Sequence, residues 1–437
     1  MIHRREFLQR SALIATAALL PAPWAAASEQ SAQATMDLSR WPIMQGPTDD
    51  ESASFVLLIP HGVEFALQAQ DSRGGLLPLE TLESWLVPGT NTRTLEVAVT
   101  GLAVGEDYTL SLTDANGDVF DERRFRALDI HRPEARFAVM SCMYDRFHSP
   151  GMWEALARES CDFVVFLGDT CYADQSNPQR DEAGYGARYA QTRQRLAWFR
   201  QPRLVPSYAV WDDHDFGGNN KNRHFPMKEF MRGMFRRFWG SRPNRAWGPA
   251  FGAGSVLQAF GQRFYLMDDR TYRDRPYLSS GRHWGENQTD WLLDDLSRSD
   301  RPAWLMNGSQ YFGGYLRKES FEYCQKEDFA ALLPRLARVQ APVAFVSGDV
   351  HFSELMRIEP ALLGYPTYEF TSSSIHSMTF PFHQHRHGRN PRRVASEWRY
   401  NFLVFDVNAE KGWDIDTRCV LSSNRTSFQK RLTISRS

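Results

Sequence analysis

The apolar run Pro342-Val343-Ala344-Phe345-Val346 feeds directly into Ser347-Gly348-Asp349-Val350-His351. Two more runs are built the same way. Asp162-Phe163-Val164-Val165-Phe166-Leu167 leads into Gly168-Asp169, and Tyr208-Ala209-Val210-Trp211 leads into Asp212-Asp213-His214-Asp215. Runs this short and this apolar read as strands buried on both faces. Such strands belong to α/β sheets, whose ligands gather beyond the carboxyl ends of the strands. Three strands that each release carboxylates or His at one end therefore point to one polynuclear metal site.

The same alternation runs through residues 134–437. Strands are expected at Phe137–Met140, Phe163–Leu167, Ala209–Trp211, Phe264–Met267, Ala303–Met306 and Val343–Val346. Amphipathic helices are expected between them, at Met152–Arg158, Tyr189–Arg200, Lys228–Trp239, Gln288–Leu296 and Phe329–Val339. This pattern specifies an α/β core. The remaining strand ends are polar too: Ser141-Cys142, Asp268-Asp269-Arg270 and Asn307-Gly308-Ser309-Gln310. Residues 36–128 have another texture. Ser54–Ile59 is apolar, Leu95–Val99 and Asp107–Leu112 alternate, and Asn116-Gly117-Asp118 is a hairpin-type turn. They read as a small, sandwich-like all-β domain without chemistry of its own, joined to the core by Asp129–Pro133.

A chain of 437 residues accommodates two domains and a large core. With 51 Lys and Arg against 52 Asp and Glu, there is no electrostatic case for nucleic acid as a partner. Residues 1–27 read as an export signal: His3-Arg4-Arg5-Glu6-Phe7-Leu8, then an apolar stretch from Ala12 to Leu20, then Ala25-Ala26-Ala27. The paired arginines followed by Phe-Leu match a twin-arginine signal, the alternative being a general secretory signal with incidental arginines. The stretch is too short for a permanent span, and no later segment reaches about 18 apolar residues. The expectation is a soluble periplasmic or secreted protein that uses the twin-arginine export machinery and has no stable membrane span. Five cysteines follow the signal (Cys142, Cys161, Cys171, Cys324 and Cys419), an odd number that leaves at least one thiol unpaired.

Each candidate has a plainer alternative. Asp169 is either a bridging carboxylate or a helix cap or turn residue. Tyr172 offers a phenolate suited to a ferric ion, or is an aromatic plug. In Asp212-Asp213-His214-Asp215 three carboxylates repel one another unless a cation compensates, and a neutral His among them serves as acid or ligand; the alternative is a solvated acidic loop. Asn219 and Asn220 read as turn residues rather than ligands. Cys142 is a thiolate ligand or a small buried hydrophobe. Arg270 is a bidentate phosphate contact or, equally, a salt bridge to a neighbouring carboxylate. His376, His383, His385 and His387, with Arg386 and Arg389, read as an exposed polar loop in preference to a metal or phosphate site. Arg193, Arg195, Arg200, Arg236 and Arg237 read as solvated helix faces.

Taken together, Ser141-Cys142, Gly168-Asp169-Thr170-Cys171-Tyr172, Trp211-Asp212-Asp213-His214-Asp215, Leu266-Met267-Asp268-Asp269-Arg270 and Ser347-Gly348-Asp349-Val350-His351 resemble the alkaline phosphatase D (PhoD-like) family of metallophosphoesterases. The resemblance runs from about residue 134 to the carboxyl terminus, and the amino-terminal β-region is similar to that family's appended domain. It implies a metallophosphatase-like β-sandwich core flanked by helices. It implies Fe(3+) held by Cys142, Asp169, Tyr172 and His351, and a second cation, Ca(2+), held by Asp169, Asp213 and Asp349. His214 would occupy the position of the catalytic His. Two features depart from the pattern: Asp215 stands where Glu is common, and Cys171 lies inside the Asp169–Tyr172 loop, where it could pair with Cys161 or with Cys142, and a disulfide at Cys142 would end thiolate ligation. The implied activity is hydrolysis of phosphate esters, as an alkaline phosphatase with phosphodiesterase activity alongside. A metal-held hydroxide would attack, His214 would protonate the leaving oxygen and Arg270 would contact the substrate. The rivals are phospholipase or phosphodiesterase specificity on the same site, a non-catalytic extracellular binding protein, and a metal-storage protein.

Overall fold

The computed structural model describes residues 40–175, 179–313, 320–379, 381–382 and 390–436. The segment read as an export signal lies outside them, as do His383, His385, His387, Arg386 and Arg389. No described helix is long and apolar enough to cross a membrane.

The core is a sandwich of two large sheets. One has six strands, in the order 207–210, 163–167, 134–140, 401–408, 413–421, 426–434. The other has eight, in the order 247–249, 255–259, 262–266, 303–306, 343–347, 367–371, 353–358, 393–397. Ser207–Val210, Phe163–Leu167 and Glu134–Met140 are mutually parallel. So are Gln262–Leu266, Ala303–Met306, Val343–Ser347 and Thr367–Thr371. Parallel strands place all their carboxyl ends on one edge of the sheet, so the polar segments that follow them are gathered there by topology.

Period-two alternation explains why both faces are covered. Phe137 and Val139 point into the sandwich with Phe163, Val165, Phe264 and Trp304. Phe137 lies flat against Phe163 and Phe405 at 5.0 and 4.8 Å and edge-on to Trp304 at 5.4 Å. Ala138, Met140, Val164 and Phe166 point the other way, toward helices Pro150–Arg158, Glu182–Arg195 and Lys228–Trp239. The outer face of the eight-stranded sheet is covered by Leu292, Leu296, Phe329 and Leu332 of helices Glu286–Ser297 and Lys326–Leu336.

The expected strands and helices all form, with one helix displaced. In place of Tyr189–Arg200, the chain is helical from Glu182, where the Asp181 carboxylate accepts the Gly184 N–H at 2.8 Å. It leaves the helix at Leu196, whose backbone is extended, and only a single turn, Ala197–Arg200, follows. Residues 43–125 form a four-stranded and a three-stranded antiparallel sheet that share a cluster containing Phe55, Leu57, Val97, Leu110 and Phe125. Buried Arg123 ties this region to the core, donating to the Gln201 carbonyl at 2.8 Å and, on the region's own side, to the Trp41 carbonyl at 2.9 Å. None of the five cysteines is joined in a disulfide, so the one considered for Cys171 is not formed.

Candidate metal centre

At the edge where the parallel strands end, the backbones approach too closely for side chains at several positions, Gly348 and Gly168 among them. A Cβ on Gly348 would lie 2.6 Å from the Leu167 carbonyl oxygen, on the opposite sheet, and 2.7 Å from Ser141 Oγ. A Cβ on Gly168 would lie 2.4 Å from Asp212 Cβ, and this residue also has a left-handed φ of +79°. These approaches bring the residues after each strand within reach of one another. Of the ten described non-glycine residues with positive φ, four are candidate ligands: Cys142 at 56°, Asp169 at 51°, Asp349 at 68° and His351 at 62°. This conformation is costly for ordinary side chains and concentrates at functional sites.

Two donor groups result. Cys142, Asp169 and His351 offer donor atoms all within 4.8 Å of one another, and so do Asp169, Asp213 and His214. Asp169 belongs to both. The Cys142 thiol donates to Asp169 Oδ2 at 3.6 Å. His351 Nδ1 donates to the Met378 carbonyl, which fixes the ring and directs Nε2 to the ligand position. The Tyr172 hydroxyl lies 2.9 Å from Ser377 Oγ, and its ring stacks with Tyr144 at 4.7 Å and packs against His214 at 4.3 Å. Asp349 borders these groups without joining either: its carbonyl lies 3.6 Å from Cys142 Sγ, and its charge acts on both Cys142 and Asp169.

The electrostatics favour a cation. Burial, reinforced by the charge of Asp169, drives the Cys142 thiol well above its usual range. Burial does the same to Tyr172, reinforced by Cys142. Asp169 is also driven up by burial, which outweighs the attraction of His214. Burial thus disfavours the anionic form of all three acids, an imbalance that positive charge among them would relieve. Among the described residues, Asp169 Oδ1 is buried with no hydrogen-bond partner. The donor set fits metal ions. Asp213 differs: against the cost of burial, Arg270, His214 and the Asn220 N–H (2.6 Å) hold it below the ordinary carboxylate value.

Asp174, which the sequence reading does not single out, receives His214 Nδ1 at 2.6 Å. The only signal for it is position, five residues beyond Asp169 in the same loop. Asp215 is the loop's internal anchor: its carboxylate accepts the N–H groups of Cys171 at 2.8 Å and Asp212 at 3.0 Å, and burial pushes it up to about 6. Arg270 is placed in a salt bridge and not at an open phosphate site. Its guanidinium is fully buried, bonded to Asp212 and 3.6 Å from Asp269. Two readings, of Arg193 and His376, are corrected. Arg193 is buried, donating to the Phe238 carbonyl with its guanidinium 3.9 Å from the Phe199 ring centroid; the aromatic-rich interior leaves it no solvated face. His376 is buried against Trp153 and His148, and burial pulls it down to about 3.

The profile of the PhoD-like phosphatase family matches residues 137–418, more than half of the chain. No curated relative matches the sequence. Among solved structures, one described as the structure of PhoD is similar at 16% identity, with 90% of this chain and 88% of that one covered and a TM-score of 0.66. A conserved uncharacterised protein of Streptococcus pneumoniae TIGR4, described as a predicted phosphoesterase, is 10% identical over 69% of this chain and 98% of its own, with a TM-score of 0.28.

Proposed function

This chain belongs to the PhoD-like phosphatase family of metal-dependent phosphoesterases, and from that premise we propose that it is an exported alkaline phosphatase that also accepts phosphodiesters, with its centre at Asp169. The observation that supports this most is the buried Asp169 Oδ1, without a hydrogen-bond partner among the described residues, on a carboxylate shared by two donor groups. Cys142, Tyr172 and His351, with Asp169, make a thiol, phenol and imidazole set suited to Fe(3+). Asp169, Asp213 and Asp349 supply the oxygen donors that suit Ca(2+). Bound there, the cations would supply positive charge to the phosphoryl oxygens and lower the pKa of a coordinated water.

The remaining work falls to the chain itself. Asp174 accepts the His214 Nδ1 proton, which fixes the tautomer and ring orientation and leaves Nε2 to protonate the leaving oxygen. The Tyr172 ring, 4.3 Å away, packs against the imidazole and limits its rotation. Asp215 and Thr170 lock the loop that carries Asp169. The reading is tested by assaying purified protein on phosphomonoester and phosphodiester substrates, with elemental analysis of the same sample. Metal-loaded protein that hydrolyses neither class, or an Asp169→Ala variant as active as the parent, would refute it.

A further inference from the structure

One short loop, Ser372–Met378, touches nearly every residue proposed to hold the first metal, and no motif in the sequence announced it. The loop follows strand Thr367–Thr371 of the eight-stranded sheet and crosses to the other sheet at once. Ser372 Oγ donates to the Val139 carbonyl at 2.7 Å, Ser141 Oγ donates to the Ser372 carbonyl at 2.8 Å, and the Ile375 N–H donates to the Ser141 carbonyl at 3.0 Å. These bonds pin the loop against the strand end that carries Cys142.

From that anchored backbone the loop reaches three candidate ligands. Ser373 Oγ accepts the His351 backbone N–H at 2.9 Å and donates to Cys142 Sγ at 3.1 Å. Ser141 Oγ is also 3.3 Å from the sulfur, but its proton is engaged by the Ser372 carbonyl, so Ser373 is the hydroxyl donor to Cys142. Ser377 Oγ lies 2.9 Å from the Tyr172 hydroxyl, and its own N–H is held by Ser374 Oγ at 2.6 Å. The Met378 carbonyl takes the His351 Nδ1 proton. Ser141, Ser373, Ser374 and Ser377 are all completely buried, so these bonds are not exchanged with solvent.

We propose that Ser373 and Ser377 are positioning residues of the metal centre, Ser373 holding the Cys142 sulfur and the His351 backbone in one geometry and Ser377 holding the Tyr172 oxygen. This rests on the reading of Cys142, Tyr172 and His351 as ligands. The physical reason is that a hydroxyl donor stabilises the anionic form of a sulfur or phenol oxygen and fixes its direction, as outer contacts of metal ligands generally do. One loop thereby sets the spacing of donors that come from three strand ends on both sheets.

The test uses the full-length, metal-loaded protein and Ser373→Ala, Ser373→Thr and Ser377→Ala. Metal retained per chain is measured against a graded chelator, together with the visible absorption spectrum and the fraction folded. Loss of such contacts typically weakens metal affinity about 10- to 100-fold, so Ser373→Ala should release metal at roughly that much lower chelator concentration while remaining folded, and Ser373→Thr should restore retention. Ser377→Ala should shift the band assigned to Tyr172, identified by its loss in Tyr172→Phe. Unchanged retention and spectrum in both alanine variants of a metal-bound parent would overturn this inference and leave the proposed function standing. A parent that binds no metal would overturn both.

Discussion

Replacing Asp174 by Asn tests the least obvious contact in the site. Asp174 Oδ1 and His214 Nδ1 are 2.6 Å apart, and the two side chains are only 6% and 13% exposed. Burial pulls the His214 imidazole down, but Asp169, Asp213 and Asp174 together outweigh it and push it up to about 10. A charge-assisted bond of this kind contributes about 1.5–3 kcal/mol, and 1.36 kcal/mol corresponds to one pKa unit, so Asp174→Asn should lower the His214 value by about one to two units. His214 is proposed to act in its protonated form. A lower pKa therefore moves the alkaline limb of the kcat profile to lower pH by the same interval. Asn keeps an oxygen facing Nδ1, so orientation is partly preserved, and the loss in kcat should stay near 10- to 100-fold, within the roughly 10²- to 10⁴-fold that general acid–base catalysis contributes. The leaving group sharpens the test. An alkyl phosphate needs its leaving oxygen protonated far more than a nitrophenyl phosphate does, so the variant should lose more on the alkyl ester. Profiles of kcat against pH for both esters, on protein of equal metal content, give the answer. Superimposable profiles, or equal losses on both esters, would refute the role of the pair.

Three other substitutions probe what holds the site in place. Gly348→Ala inserts a methyl 2.6 Å from the Leu167 carbonyl, and the backbone must give way by several tenths of an ångström; a loss of about 1–3 kcal/mol in urea unfolding and up to about 100-fold in kcat should follow. Arg270→Ala strips the buried partner from Asp212 and should cost about 3–5 kcal/mol of stability, whereas a stable variant with only a raised KM would restore the phosphate-contact reading. Glu397 has its pKa pushed down to about 2, because Arg399 and Ser427 outweigh the opposing effect of burial. A depressed carboxylate stabilises the fold above its unfolded value of about 4.5 and loses that contribution as pH falls toward 2. Allowing for the half-exposed Arg399, about 1–2 kcal/mol is at stake, and Glu397→Gln should flatten acid unfolding across that window.

The strands that build the site were legible because burial on both faces forces uninterrupted apolar runs, and the polar residues after them stand out by contrast. Cys142, Asp169, Asp213, His214 and His351 could be picked out on that basis and are brought together. Asp174 was illegible because an Asp in a loop has many ordinary uses and its partner is 40 residues away. The serine loop was hidden for a related reason: Ser373 reaches Cys142 across 231 residues, and serine carries no sequence signature for a contact made by folding alone. Arg193 was misjudged, since amphipathic spacing does not reveal an arginine that an aromatic face takes out of water, and for Arg270 the sequence left the phosphate contact and the salt bridge equally open. The strands beyond residue 353 were left unassigned; Asn401–Asn408, Trp413–Leu421 and Thr426–Ile434 extend one sheet antiparallel and end in no ligand.

The span between Cys142 and Asp349 has a kinetic consequence. Their contact closes a loop of 207 residues, and bringing such ends together costs on the order of 5 kcal/mol in chain entropy before any bond there is made. Local hairpins and helices can form early at little cost, but the pairing of Ser141 with Ser372 must wait until the sheets that carry them have docked. The centre is thus among the last features to appear during folding, and a nascent chain that has not yet released strand Val343–Ser347 has no complete set of donors to offer. Metal uptake timed during refolding would follow the slowest structural phase and would not precede it.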